Sequence, residues 1–461
     1  MLDATGARLV AGAPELRLAG VSTDTRTLRP GELFLALSGP NFDGNRFAQQ
    51  AAAAGAAALL LRGSEVPAGL PAHVAVVLHA DPRRALGDLG AWYRSTLAAT
   101  VLGVTGSTGK TTTKNILRAL CEPLFPVVAS PSSFNNDIGV PHTLCLAEES
   151  TRLVVVEMGT NHPGEIAALC RIARPEIGVI TNVGASHLAG LGSLEGVVRE
   201  KGALAEALPR EGLCVLNAAS RQRGELAGRT RARVLTFSVE GSGAERGDLD
   251  ARALYFHSGG TTFKLDGLGL AGHEVTSPLL GTHNVENLLA ALCAAEGLGL
   301  ELARLLPAVS SLRPAHSRME RIDLPGLTLF DDCYNANPQS LRAAVRVLAG
   351  LHGFGRRVLV MGDMLELGEL SAELHHEIGR EAARAGVDAL VLVGTYVKAA
   401  ASGALEGGLS ADAVAHFATT EEAARAATEL VREGDVVLVK GSRGMALERV
   451  VEALRSRPLV S

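Results

Sequence analysis

Thr100-Val101-Leu102-Gly103-Val104-Thr105-Gly106-Ser107-Thr108-Gly109-Lys110-Thr111-Thr112 decides the architecture. A buried apolar run passes into a glycine-rich turn, and a lysine and two threonines then open a stretch with helical periodicity. The pattern predicts a strand over Thr100–Thr105 and a helix from Lys110 to about Cys121. Backbone N–H groups of such a turn point inward, and the helix N-terminus adds partial positive charge, so the turn can cradle phosphate. Lys110 is expected to reach the β- and γ-phosphates of a nucleotide, with the Thr111 or Thr112 hydroxyl on Mg²⁺. Gly103 stands six residues before Gly109, one more than the full phosphate-loop spacing.

Outward from this turn, apolar strands alternate with helical stretches. Strands are expected at Leu153–Glu157, Ile177–Thr181, Leu213–Leu216 and Val234–Phe237, which predicts a parallel sheet with helices on both faces. Gly241–Gly281 is less regular and fits antiparallel strands, and Asn284–Leu298 reads as an Ala/Leu helix. Before residue 98 lies a small α/β unit, with a strand at Glu32–Leu37, a loop at 39–44, and a helix then strand over Ala48–Leu61. Leu312–Pro314 reads as a linker. Beyond it the alternation restarts, with strands at Thr328–Phe330, Arg357–Met361, Ala389–Val393 and Asp435–Val439, and helices at Pro338–Ala349, Ser371–Ala385 and Thr420–Arg432. The fold class is therefore α/β in three domains. These are a small N-terminal unit (1–97), a central phosphate-loop mononucleotide-binding domain with a parallel sheet (98–311), and a C-terminal Rossmann-like domain (312–461).

Composition narrows the functional classes. The 461 residues are 47% hydrophobic and 20% charged, enough for large cores and unlike a disordered chain. A net charge of −5 without a basic run, and 3% aromatic residues, argue against nucleic-acid binding. The longest apolar run, Ala51–Leu61, falls well short of the roughly 20 residues of a membrane span. No signal peptide is evident, and six cysteines without a C-x-x-C pair fit a reducing cytoplasm. Only six of the 44 basic residues are lysines (110, 114, 201, 264, 398, 440). A lysine at a candidate site thus raises the question of whether an amine is required there.

Two strand ends offer further candidates, because α/β sheets bind ligands at the carboxyl ends of their strands. Glu157 closes Leu153–Glu157 and, beside the phosphate turn, is expected to serve a Mg²⁺ site. His187 follows the next strand, where a structural role and a ligand role are balanced. Lys201 falls on a helix expected over Leu194–Leu208, where solvent exposure is the ordinary outcome.

Taken together, several segments resemble the Mur ligases of cell-wall synthesis over nearly the whole chain. They are Ser22–Arg26, Gly31–Leu37 and 41–44 in the first domain. In the second they are Gly106–Thr112, Asn135–Pro141, Glu157–Gly159, His187, Lys201-Gly202 and Gly281–Asn287. In the third they are Arg318–Glu320, Asp331–Pro338, Gly362–Gly368 and Val439–Gly444. The resemblance is strongest to the dipeptide-adding branch. It implies a cytoplasmic, monomeric enzyme that uses ATP to join D-alanyl-D-alanine to UDP-MurNAc-tripeptide through an acyl phosphate, with two Mg²⁺ ions. It further implies that Gly106, Ser107, Thr108, Gly109, Lys110, Thr111, Thr112, Asn284, Asn287, Arg318 and Asp332 meet ATP, with His283 near adenine. Asp24, Arg26, Asp43, Gly44, Asn135 and Asn136 would receive the sugar nucleotide. Glu157 and His187 would help hold the second Mg²⁺, and Lys201 would match a lysine carbamylated by CO₂. Ser317, Ala203 and Asp137 depart from the family's usual glycine, acidic residue and glutamate.

Three rivals share part of this pattern. A sister ligase adding the third amino acid typically carries an Asp-Asn-Pro-Arg motif, which this chain lacks. A folylpolyglutamate synthase lacks the first-domain segments. A phosphate-loop switch protein would bind nucleotide without needing two further substrates.

Overall fold

The computed structural model describes residues 1–461 except 40, 41, 242, 244, 245, 258 and 458–461. Residue 41 of the first-domain segment lies outside the described residues. Three α/β units follow one another, each built on its own sheet.

The central sheet places the site. Its strand order is Leu270–Ser277, Gly260–Gly267, Leu249–His257, Arg233–Val239, Leu213–Asn217, Ile177–Ile180, Thr100–Thr105, Leu153–Glu157 and Val127–Ala129. From Val127–Ala129 to Leu249–His257 all pairings are parallel. The chain runs from Thr100–Thr105 outward on one side and returns to the other, so the direction of winding reverses at this strand. That reversal opens a crevice at the strand's carboxyl end, where the phosphate turn lies. The parallel strands read as continuous apolar runs because both faces are covered. Leu102 and Val104 pack in one core with Ile116, Leu117 and the Thr282–Gly297 helix. Val101, Val154 and Val156 pack in the other with Leu204 and Leu208. Gly103 explains the odd spacing of the phosphate motif: a Cβ there would lie 3.1 Å from Leu204 Cδ1, so this glycine serves helix–sheet packing.

Gly241–Gly281 does hold antiparallel strands, Leu249–His257 with Gly260–Gly267 and Leu270–Ser277. The first of them also continues the parallel sheet beside Arg233–Val239. The N-terminal sheet orders its strands Arg8–Ala11, Ala75–His79, Ala58–Arg62, Leu33–Leu35, Val21–Ser22, with only the first antiparallel to its neighbour. The Pro82–Thr96 helix, absent from the expectations above, begins at an Asp81 cap whose carboxylate accepts from the Arg83 and Arg84 N–H groups. It packs against the central helices Gly139–Cys145 and Glu165–Ala173, with Gly90 against Pro141.

The C-terminal sheet orders Glu320–Leu324, Leu327–Asp331, Asp435–Lys440, Arg357–Gly362, Ala389–Val393 and Val414–Phe417. Its last strand in sequence inserts between two earlier ones, and only the Glu320–Leu324 edge is antiparallel. No helix among the described residues is long and apolar enough to cross a membrane. All six cysteines are free.

Candidate active site

The phosphate turn depends on two glycines. Gly106 (φ +149°) has no room for a Cβ, which would lie 1.9 Å from Thr181 Oγ1, and Gly109 (φ +82°) would place one 2.2 Å from Asn287 Oδ1. The loop after Ile177–Ile180 sutures the turn. Asn182 Oδ1 accepts from the Thr108 N–H at 3.0 Å, and its Nδ2 donates to Thr108 Oγ1 at 2.7 Å. Ser186 Oγ donates to Ser107 Oγ at 2.9 Å. Gly109→Ala is expected to displace Asn287 and to weaken ATP binding at least tenfold through the distorted turn. Nucleotide titration followed by calorimetry measures this.

Lys110 donates to Gly106 O at 2.8 Å, and burial holds its ammonium below the usual lysine range. The neighbouring hydroxyl, Thr111 Oγ1, lies 2.7 Å from Glu157 Oε2, so helix start and strand end bring two oxygen donors together. Asn135 Nδ2 donates to Glu157 Oε1 at 2.9 Å. Lys114, one turn beyond Lys110, donates to Ser130 O at 2.7 Å and to Ser132 O, with its ammonium 3.6 Å from Glu157 Oε2. Mg²⁺ takes hard oxygen ligands, and this hydroxyl–carboxylate pair beside a phosphate turn supplies that donor set.

Lys201 is 1% exposed, so the ordinary expectation of an exposed helical lysine fails. The helix Leu194–Ala207 turns this side chain inward beside Gly202 and Leu204. Burial first, and the Lys110 charge second, push its ammonium well below the usual lysine range. No hydrogen bond or ion pair to Lys201 Nζ occurs among the described residues. His187 feels both lysines, and burial chiefly lowers its pKa. Its Nδ1 meets Glu366 Oε2 of the third domain at 2.7 Å, a partner unforeseen from the sequence.

Third-domain residues complete the cleft. Arg318 Nη2 donates to Thr111 Oγ1 at 3.0 Å and to Ser133 Oγ at 3.3 Å, and its guanidinium lies 4.1 Å from the Tyr334 ring centroid. Asn337 Nδ2 donates to Ser107 O at 3.2 Å. Asp332 is paired with buried Lys440 at 2.8 Å, while burial raises its carboxyl pKa against that pull. Asn284 and Asn287 are buried at the start of Thr282–Gly297. Asn287 accepts from Thr113 Oγ1 at 3.3 Å, tying this helix to the phosphate helix. His283 is pushed down to about 4, by burial first and then by the Lys440 and Arg346 charges, so its imidazole is neutral at pH 7. Five of the nine described non-glycine residues with positive φ lie around this cleft: Ser132, His187, Ser317, Met319 and Glu366. Strain of this kind concentrates where surrounding structure over-determines a functional site. Ser317, standing where glycine is usual, is held by its Oγ donating to Asp331 Oδ2 at 2.8 Å.

A cavity of about 1090 Å³ joins these groups. Its wall includes Ser107–Thr112, Asn135, Asn136, Glu157, His187, Asn284, Asn287, Arg318 and Asp332. Lys201 is buried and does not line it. Asp24, Arg26, Asp43 and Gly44 are not brought to it. Asp24 and Arg26 pair with each other at 2.6 Å on the surface, which lowers the Asp24 carboxyl to about 2. Asp43 accepts from the Asn45 N–H at 3.0 Å, and Gly44 has no space for a Cβ, which would lie 2.1 Å from Leu37 O. Asn136 Oδ1 accepts from the Ile138 and Gly139 N–H groups and so opens the Gly139–Cys145 helix. Thr112 stands on the wall without a hydrogen bond from its hydroxyl among the described residues. Asp137 forms an ion pair with Arg83 at 2.5 Å, joining the first unit to the second. Four of the six lysines (110, 114, 201, 440) belong to this site, whereas Lys264 and Lys398 are exposed. Lys114 and Lys440 were missed as site residues, although lysine scarcity and the one-turn spacing from Lys110 both pointed to the former.

Comparison with known proteins agrees along the chain. The Mur ligase family catalytic domain matches residues 17–94, the Mur ligase middle domain 104–295, and the Mur ligase glutamate ligase domain 317–443. A Bacillus subtilis UDP-N-acetylmuramoyl-tripeptide–D-alanyl-D-alanine ligase is 36% identical over 441 residues, covering 95% of this chain and 94% of the relative. A crystal structure of MurF from Acinetobacter baumannii is 32% identical with a TM-score of 0.87, covering 98% of this chain and 97% of that one. MurF ligase from Thermotoga maritima, solved in complex with ADP, is 26% identical with a TM-score of 0.82, covering 96% and 99%. With three successive domain matches and full-length relatives above 30% identity, the chain belongs to the Mur ligase family.

Proposed function

We infer that this chain is an ATP-dependent amide-forming ligase that joins D-alanyl-D-alanine to UDP-N-acetylmuramoyl-tripeptide, giving the pentapeptide precursor of peptidoglycan. The observation that carries this reading is one cavity shared by a phosphate turn and third-domain residues, in a chain aligned end to end with ligases of that name. The tripeptide carboxylate attacks the γ-phosphorus of ATP, the γ-phosphoryl group transfers, and ADP leaves. The dipeptide amine then attacks the acyl carbon, and phosphate departs with the C–O bond. Two anions must meet in the first step, and the acyl phosphate must be kept from water before the second. Lys110 and Arg318 supply positive charge at the phosphates. Arg318 and Asn337 bring the third domain onto the turn, which limits water access.

Thr111 would hold one Mg²⁺, and Glu157 and His187 with a carbamylated Lys201 would serve the second; bound Mg²⁺ neutralises phosphate charge. A carbamate forms when a neutral amine adds to CO₂ and releases a proton. The buried, depressed Lys201 favours that neutral amine. Asn135 and Asn136 would face the sugar nucleotide from the cavity wall, with Asp24, Arg26, Asp43 and Gly44 receiving the uridine diphosphate from the first unit. Asn284, Asn287 and neutral His283 would border adenine, and Asp332 the ribose. Division at 97/98 and 311/312 belongs to this proposal and is supported by the three large sheets, one in each unit. So do action as a monomer and a cytoplasmic setting, the latter supported by six free cysteines.

ADP release is the test. Sustained release over many turnovers is expected only when ATP, the UDP-MurNAc-tripeptide and D-alanyl-D-alanine are all present. ADP release that ignores the dipeptide and the nucleotide-sugar would indicate a switch protein instead.

A further inference from the structure

The dipeptide brings a carboxylate to a cleft that must hold it without letting it compete for the phosphate site. Among the described residues, the cations on the wall divide clearly. Lys110 and Arg318 are committed to the phosphate turn, Lys440 pairs with Asp332 at 2.8 Å, and Arg83 pairs with Asp137 at 2.5 Å. Arg346 and Arg443 remain. Arg346, on the Pro338–Ala349 helix, lies within electrostatic reach of His283 and Glu286, neighbours of Asn284 and Asn287 in the chain. Arg443 is on the short turn Arg443–Met445 that follows the Asp435–Lys440 strand.

Three features suit Arg443 to a substrate carboxylate. Its guanidinium is exposed on the cavity wall, and its one carboxylate partner among the described residues, Glu448, is 3.9 Å away, outside hydrogen-bonding reach. Its backbone N–H is pinned by Asn335 Oδ1 at 3.4 Å, which fixes the start of the side chain. It also shares the Tyr334 ring with Arg318: Arg443 lies 5.7 Å from the centroid and Arg318 4.1 Å, and Arg318 in turn touches Thr111. The Tyr334 ring is therefore a shared neighbour of Arg443 and of the cation at the phosphates. A dipeptide spans about 7 Å when extended, so its amine can approach the reacting carbon while its carboxylate stays one side chain away.

We propose that Arg443 is the residue that anchors the carboxylate of the incoming dipeptide, through a bidentate guanidinium–carboxylate pair that sets the amine's approach and selects for a free C-terminus. This rests on the ligase reading above. The planar five-donor fork matches a carboxylate, and the Tyr334 ring lies 5.7 Å from it.

D-alanyl-D-alanine and its C-terminal amide test the assignment as alternative substrates. The unsubstituted enzyme should prefer the acid by about 10²-fold in kcat/KM. Arg443→Gln should raise the dipeptide KM by a similar factor and abolish that preference, with the KM values for ATP and the nucleotide-sugar unchanged. Arg443→Lys should retain part of the preference, and Arg346→Gln should keep it all. Thermal unfolding reports whether each variant folds. An unsubstituted enzyme that accepts the amide as readily as the acid overturns the proposal. So does an Arg443→Gln or Arg443→Lys enzyme with the full original preference, or loss of preference in Arg346→Gln. Failure of the ligase reading would look different: no dipeptide-dependent ADP release from the unsubstituted enzyme.

Discussion

Lys201→Arg is expected to reduce turnover by about 10²-fold or more while the protein remains folded. Arginine keeps the positive charge but cannot readily become a carbamate, so the carboxylate-like ligand is lost. Burial sharpens the experiment. An exposed helical lysine would tolerate substitution within about 0.5 kcal/mol and without loss of activity. Lys201 instead lies inside the protein within electrostatic reach of Lys110 and His187. Because arginine must also fit a packed site, Lys201→Met supplies a second variant of similar volume that lacks the amine. Both should lose activity, and short carboxylic acids should partly restore it to Lys201→Ala by filling the vacated space. Exhaustive removal of CO₂ should lower the activity of the unsubstituted enzyme, and bicarbonate should recover it. Near-native turnover by a folded Lys201→Arg enzyme would return this lysine to a packing role.

Lys110→Ala should be more damaging, with turnover falling by about 10³-fold or more. The ammonium lies at the start of the phosphate helix, bonded to Gly106 O within its own turn. It supports no core, and Lys114 holds the adjacent loop independently through Ser130 and Ser132. Unfolding temperature should therefore change little while acyl-phosphate formation disappears. Rapid-quench measurement of the intermediate separates loss of chemistry from loss of dipeptide binding. A folded Lys110→Ala enzyme that forms acyl phosphate at the original rate would remove Lys110 from the mechanism.

The phosphate turn was legible because local chemistry alone specifies it: strand, glycines, lysine, threonines and helix follow without a gap. The Lys110–Cys121 helix and the Thr100–Thr105 strand appear with the boundaries read from the sequence. The Pro82–Thr96 helix carried its start signal in Asp81-Pro82, but its amphipathic face was hidden in an Arg/Gly-rich stretch. Val127–Ala129 was missed because three residues give no period, and its place comes from pairing with Leu153–Glu157. Within the site, strand ends marked Glu157 and His187, yet nothing local could reveal that His187 meets Glu366, which is 179 positions away. Lys201 showed the same limit. Its helix was read correctly, but the direction its side chain takes is decided by packing against the sheet. The Asp24–Arg26 and Asp43-Gly44 segments carry clear turn chemistry, which accounts for their local geometry without reference to a ligand.

The central claim is that the tripeptide carboxylate is activated as an acyl phosphate in this cleft. It is tested most directly by supplying UDP-MurNAc-tripeptide labelled with ¹⁸O in the reacting carboxylate, together with ATP and D-alanyl-D-alanine. Mass analysis then follows the inorganic phosphate and the nucleotide-sugar product. Attack of that oxygen on the γ-phosphorus, followed by C–O cleavage on amide formation, predicts one ¹⁸O atom in each phosphate released and a product longer by one D-alanyl-D-alanine unit. Phosphate free of ¹⁸O alongside that same product would contradict it.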